Sequence, residues 1–206
     1  MGNNTPADRC MMDYEKAYGQ MHEAVPKDFS GYSIKGYVKD IAALVDSHGI
    51  IRPDAWQEDT RLLDYGSGKG YQYLGLRVHE QWGGILPVCY DPGVYQLRTK
   101  PDKPSRRRPP YEGKFAGIIC TDVMEHIEEA DVDAVLADIF RFADDHGFVF
   151  FVIGIDPSYR KKLPDGRDVH VTVKPPTWWD AKLAKYQRDG LTIRVIYEKA
   201  KKARIP

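Results

Sequence analysis

The residues with the most chemical content lie in one stretch, Thr60-Arg-Leu-Leu-Asp-Tyr-Gly-Ser-Gly-Lys-Gly-Tyr71. An apolar run, Leu62 and Leu63, leads to Asp64, and glycines follow at alternate positions, Gly66, Gly68 and Gly70. Beyond them Tyr73, Leu74 and Val78 recur at helical spacing. The pattern reads as strand, glycine turn, helix: the opening β-α unit of a nucleotide-type α/β sheet. Glycine suits such a turn because the chain bends tightly and a ligand meets the backbone where a Cβ would obstruct it. Two other ligand classes fail on spacing. A P-loop needs a glycine where Leu63 stands and a hydroxyl residue where Gly70 stands, and a dinucleotide fingerprint needs a glycine in place of Tyr71. A glycine-rich turn with no ligand is the plain alternative.

Two further segments carry the argument. Phe115–Cys120 is a buried apolar strand followed by Thr121-Asp-Val-Met-Glu-His126, and Phe148–Gly154 is a continuous apolar strand followed by Asp168-Val-His170 and the helix start Pro175-Pro176. With Leu-Leu-Asp-x-Gly-x-Gly-x-Gly and Phe29-Ser-Gly-Tyr-Ser33, these segments resemble class I S-adenosylmethionine-dependent methyltransferases. The whole pattern is similar to small methyltransferase-like proteins met in bacteria and phages. Asp-Val-Met-Glu-His is like the segment after the fourth strand of many small-molecule enzymes of that class. It also lacks the Asn/Asp-Pro-Pro-Tyr/Phe run of enzymes that methylate base or glutamine amino groups.

The resemblance implies a Rossmann-like sheet and S-adenosylmethionine as cofactor. Asp64, Tyr65, Gly66, Ser67, Gly68 and Gly70 would line the cofactor, with Thr121 and Asp122 near its sulfonium. Asp91-Pro92 closes the next apolar strand, beside the glycine turn, where a carboxylate can accept hydrogen bonds from both ribose hydroxyls. The alternative for Asp91 is a turn former before Pro92. Helices ahead of the first strand commonly lid such a pocket, which makes Tyr14, Tyr18, Phe29 and Ser33 candidate acceptor contacts, with Trp178 on a later helix. Ordinary packing on the sheet explains the first four equally well. Because the sulfonium methyl is already activated, the protein mainly aligns an in-line attack and supplies a base if the acceptor must lose a proton. Asp122, His126 and His170 are the groups placed for that role, against a structural one for each. No spacing of His, Cys, Asp and Glu marks a metal site.

The elements that must position these groups follow from periodicity. Helices are expected over Met12–Glu23, Ile34–His48, the stretch after the glycines to about Gln81, Ala130–Asp144 and around Trp178–Tyr186. Strands are expected at Ile85–Tyr90 and Leu191–Tyr197 besides those already named. Residues 1–10 read as disordered. Residues 93–114, proline-rich and carrying Arg106-Arg-Arg108, show no periodicity, so the third strand of the full fold is reduced or missing; Asp102 is a weak candidate for an adenine contact. The expected fold is an α/β, Rossmann-like class I methyltransferase sheet with helices on both faces, trimmed around strand 3 and at the C-terminal strand. At 206 residues the chain is expected to form one domain, with 1–50 a helical lid region and 51–206 the α/β core.

Thirty basic residues balance thirty acidic ones, so no global field draws the chain to nucleic acid, although Arg106–Arg108 keep such a partner open. No apolar run reaches the ~20 residues of a membrane span. The three spaced cysteines and the polar N-terminus point to reducing cytoplasm. The expected activity is methyl transfer to a small molecule or metabolite at oxygen or carbon. The alternatives are a nucleic-acid-associated modifier and a cofactor-binding fold without methyl transfer.

Overall fold

Five strands form one parallel sheet in the order β2-β1-β3-β4-β5: β1 Leu62–Tyr65, β2 Val88–Tyr90, β3 Phe115–Thr121, β4 Ala143–Gly154 and β5 Thr192–Glu198. The computed structural model describes residues 31–50, 62–91, 113–158, 161–163 and 166–199. Parallel strands need crossovers long enough to pack back on the sheet, and helix α3, Val132–Phe142, makes the one from β3 to β4. Helix α4, Pro176–Leu183, with a 3-10 turn Ala184–Tyr186, makes the one from β4 to β5. Helix α1, Val38–Ser47, precedes β1, and helix α2, Tyr71–Leu74, follows it.

The apolar run of β4 explains the two-faced core. Phe148, Phe150 and Val152 point to one face, where Ile34, Val38, Ile41 and Val45 of the N-terminal segment meet Tyr73, Val78 and Trp82. Val149, Phe151 and Ile153 point to the other, against Val135, Leu136, Ile139 and Phe140 of α3 and Trp179 and Leu183 of α4. Strict alternation along a strand covered on both sides gives this pattern. The inward residues expected of the helix after β3, Val132, Val135, Leu136, Ile139 and Phe140, are all buried.

Four elements differ from expectation. The segment after the glycines is not one helix to Gln81: α2 stops at Gly75, Arg77 takes a left-handed φ of 50°, and a 3-10 helix runs Val78–Trp82. Glycine weakens a helix interior, and the turn is fixed instead by Trp82, whose indole Nε1 donates to the Ile85 carbonyl at 2.8 Å. β2 begins at Val88 rather than Ile85, because Pro87 has no N–H to give the ladder. The expected helix over Ile34–His48 begins as a 3-10 stretch, Tyr32–Tyr37, before α1. β4 starts five residues before Phe148, at Ala143, which pairs with Phe115.

β5 lies directly against β4 and parallel to it, with no antiparallel strand among the described residues. The segment that would hold a third strand, Asp102 and Arg106–Arg108 all lie outside the described residues, as does the expected helix Met12–Glu23. No described helix is long and apolar enough to cross a membrane.

Strand order sets where a ligand can bind. From β1 the chain moves outward to β2, then returns to β3 on the opposite side of β1. The loops leaving β1 and β3 therefore diverge, and the crevice at their carboxyl ends is the binding position of open α/β sheets.

Candidate active site

The glycine loop leaves β1 on one side of this crevice. Gly66, Gly68 and Gly70 have φ of 79°, 57° and 70°, the left-handed region that other residues enter at a cost. A Cβ on Gly66 would also strike the Val123 side chain, so loop and β3 exit touch only because that side chain is absent. Backbone bonds fix the loop: the N–H groups of Gly66 and Ser67 both donate to the Tyr90 carbonyl, at 2.7 and 3.1 Å. The Gly68 N–H donates to Asp91 Oδ2 at 2.8 Å. Asp91, 9% exposed at the end of β2, is thus joined to the loop by its own carboxylate.

Asp64 is buried beneath the loop. Its Oδ2 accepts from Tyr73 Oη at 2.7 Å and from Gln72 Nε2 at 3.0 Å, and Gln72 also donates to the Ser67 carbonyl at 3.1 Å. Burial pushes the Asp64 carboxyl up to about 6, against the opposing pull of these two donors. Asp64 therefore ties α2 to β1 and holds the turn in shape. Gln72 is a part of this arrangement that no periodicity announces. Tyr65 is buried and packs on Tyr90 at 5.0 Å between ring centroids. Ser67 is buried, with its hydroxyl 3.4 Å from the Gly68 carbonyl.

Across the crevice, Thr121 ends β3 half-buried and Asp122 follows with φ 54°, a non-glycine residue in the left-handed region. Such a conformation costs of order 1–3 kcal/mol and persists where the surroundings impose it. Here the Asp122 N–H is held by the Val152 carbonyl of β4 at 3.0 Å. Burial raises the Asp122 carboxyl, while a hydrogen bond from Ser33 and the nearby His170 and Lys161 lower it. Ser33, expected only as a candidate acceptor contact, thus bonds to Asp122. Gly31, two residues earlier, packs so closely on the Gln72 amide that a Cβ would collide with it. Tyr37 hydrogen-bonds Glu198 at the end of β5; burial, then this bond, raises its phenol.

His126 and His170 meet edge to face, ring centroids 4.9 Å apart. His126 Nδ1 faces the Val169 carbonyl at 2.8 Å and His170 Nδ1 faces the Asp156 carbonyl at 2.7 Å. Burial, then the neighbouring His170, lowers His126 to about 3, so it is neutral across the physiological range. Glu125, between Asp122 and His126 in sequence, is buried and its Oε1 accepts from the Gly154 N–H at 3.0 Å. Burial, then the charge of Asp122, raises its carboxyl well above the ordinary range. Sequence reasoning singled out its neighbours and passed over Glu125; its only signal is a second carboxylate directly after the apolar pair Val123-Met124.

The structure thus brings Asp122, His126 and His170 together and places Ser33 with them. Trp178 stands apart in its contacts: it packs on Trp179 at 4.8 Å, with Lys182 and Lys174 Nζ 4.9 and 5.5 Å from its ring. Tyr14, Tyr18, Phe29 and Pro92 lie outside the described residues.

A family model described as a methyltransferase domain matches residues 35–187. No curated protein and no solved structure matches the chain. The match spans both sides of the crevice, from α1 through the glycine loop and the Asp122–His126 turn to the end of α4, and the chain belongs to the class I methyltransferase domain family.

Proposed function

We propose that the chain binds S-adenosylmethionine across the glycine loop and transfers its methyl group to a small-molecule or metabolite acceptor, at oxygen or carbon. The observation that carries this reading is the latch between Gly68 N–H and Asp91 at the switch point, facing Asp122 across the crevice. Asp91 would hold the ribose hydroxyls, and the Gly66–Gly70 backbone would lie along the cofactor, with Asp64, Tyr65 and Ser67 supporting the loop from below. Thr121 and Asp122 would face the sulfonium. A carbon or oxygen acceptor attacks the methyl carbon as the bond to sulfur breaks. Sulfur leaves as a neutral thioether, and the acceptor's proton passes to a base. Asp122 and His170 are the bases this geometry favours, since His126 is held neutral by burial and is a weak base at neutral pH.

Calorimetry with S-adenosylmethionine and S-adenosylhomocysteine tests the cofactor step, and binding of both is expected. No heat at millimolar ligand sinks it. Incubating the protein and labelled methyl donor with metabolite extract then identifies the acceptor. Label appearing only in nucleic acid would overturn the small-molecule reading.

A further inference from the structure

We propose that Glu125, His126 and His170 form a binding site for a first-row divalent metal ion of the zinc type, beside Asp122. One donor atom from each residue lies within 4.8 Å of the other two. Donors around zinc at bonds of ~2.0–2.2 Å stand about 3.3 Å apart. The widest pair therefore closes by up to about 1.5 Å, within reach of small side-chain rotations.

The hydrogen bonding around the cluster favours metal. A carbonyl oxygen can only accept, so each imidazole facing one carries its proton on Nδ1 and its lone pair on Nε2. Metal-ligating histidines are oriented in this way, by a carbonyl or carboxylate on the other ring nitrogen. Glu125 is prepared similarly. Its Oε1 is engaged by the Gly154 N–H, whereas its Oε2 is fully buried with no hydrogen-bond partner among the described residues. An unpaired buried carboxylate oxygen is costly and calls for a cation or a donor.

Gly154 makes the meeting possible. A Cβ there would stand 2.8 Å from Glu125 Oε1 and 3.0 Å from His170 Cε1, so any other residue would push carboxylate and imidazole apart. The backbone adds a further link, since the Thr172 N–H donates to the Glu125 carbonyl at 3.0 Å and draws the His170 segment onto the turn. Two imidazoles and a carboxylate suit zinc, iron or cobalt better than magnesium or calcium, which favour all-oxygen shells. Three protein donors leave at least one position for water or an acceptor oxygen, and with the ion on His170 Nε2 the base is Asp122 alone.

This inference stands whether or not the chain transfers methyl groups, so its test omits the methyl donor. Tag-free full-length protein, stripped with chelator, is titrated with zinc by calorimetry and with cobalt(II) by visible absorption. A single ion per chain is expected, with cobalt bands of nitrogen–oxygen coordination. His170→Ala and Glu125→Gln should each weaken zinc binding at least ~10-fold, with folding followed by circular dichroism. If Glu125→Gln does not fold, His170→Ala, a change at a half-buried ring, decides alone. No saturable zinc binding, or binding unchanged by His170→Ala, overturns the proposal.

Discussion

The two sides of the crevice are built differently. The side after β1 and β2 is a backbone construction: N–H groups of Gly66, Ser67 and Gly68 in one compact loop close on the Tyr90 carbonyl and the Asp91 carboxylate at the end of β2. The side after β3 and β4 is a side-chain construction. Ser33, the turn carrying Asp122, Glu125 and His126, and His170 come from three separate segments and meet only in the folded sheet. A backbone site tolerates changes of neighbouring side chains but not of its glycines. A side-chain site can be retuned residue by residue without disturbing the loop opposite.

The strongest way to break this comparison is Gly66→Val. The substitution puts a β-branched residue at φ 79° and drives its Cβ into Val123. The backbone strain alone costs of order 1–3 kcal/mol. With the collision added, affinity for S-adenosylhomocysteine should fall ~10³-fold, or about 4 kcal/mol, in a calorimetric titration. Affinity within tenfold of wild type would show that the loop is not the cofactor's seat.

Asp64→Asn probes the same side through pH. The folded state holds the Asp64 proton more tightly than the unfolded chain does, with the carboxyl moved from 3.8 to about 6. Asp64 therefore contributes most to stability below the lower value, and that contribution is lost as pH rises through the upper one. Asparagine has no proton to lose. The stability of wild type relative to the variant should thus drop by roughly 2.4 kcal/mol between pH 4 and pH 7, read from urea midpoints. A flat difference would mean that Asp64 does not titrate as a buried carboxyl.

What was legible in the sequence follows the same division. Asp64 and the three glycines are close in sequence and restricted by backbone rules, so the strand, turn and helix start could be read directly, and Asp91 was placed by its position at the end of the next apolar strand. The two-faced burial of Phe148–Gly154 was equally plain, since an unbroken apolar run admits few placements. Glu125 and Gln72 were not legible. Each is a buried polar residue whose value depends on a partner fixed by tertiary contact, Gly154 for one and Asp64 for the other. The helix expected to reach Gln81 was misread because Leu74 and Val78 keep helical spacing while Leu74 is 78% exposed. Spacing alone does not reveal which face is covered.

Asp91→Ala is a smaller perturbation of the backbone side. It removes both the latch to Gly68 and the proposed ribose acceptor, and should weaken S-adenosylhomocysteine binding by ~1.5–3 kcal/mol in the same titration. Equal affinity would reduce Asp91 to a turn residue.

Ser33→Ala gives the smallest expected effect and separates the two sides most cleanly. The Ser33 hydroxyl hydrogen-bonds Asp122 and favours its ionised form, against the burial that raises it. Removing the hydroxyl should cost only ~0.5–1.5 kcal/mol of stability, since the residue is exposed and its alanine replacement leaves no void. Asp122 then holds its proton to a higher pH. If Asp122 must be ionised to accept the acceptor's proton, the acidic limb of the pH–rate profile should move to higher pH, with the plateau rate little changed. Cofactor affinity should stay within about twofold, because the Gly66–Gly70 loop and its latch make no use of Ser33. An acidic limb that stays in place would remove Asp122 from the proton transfer and leave His170 as the base.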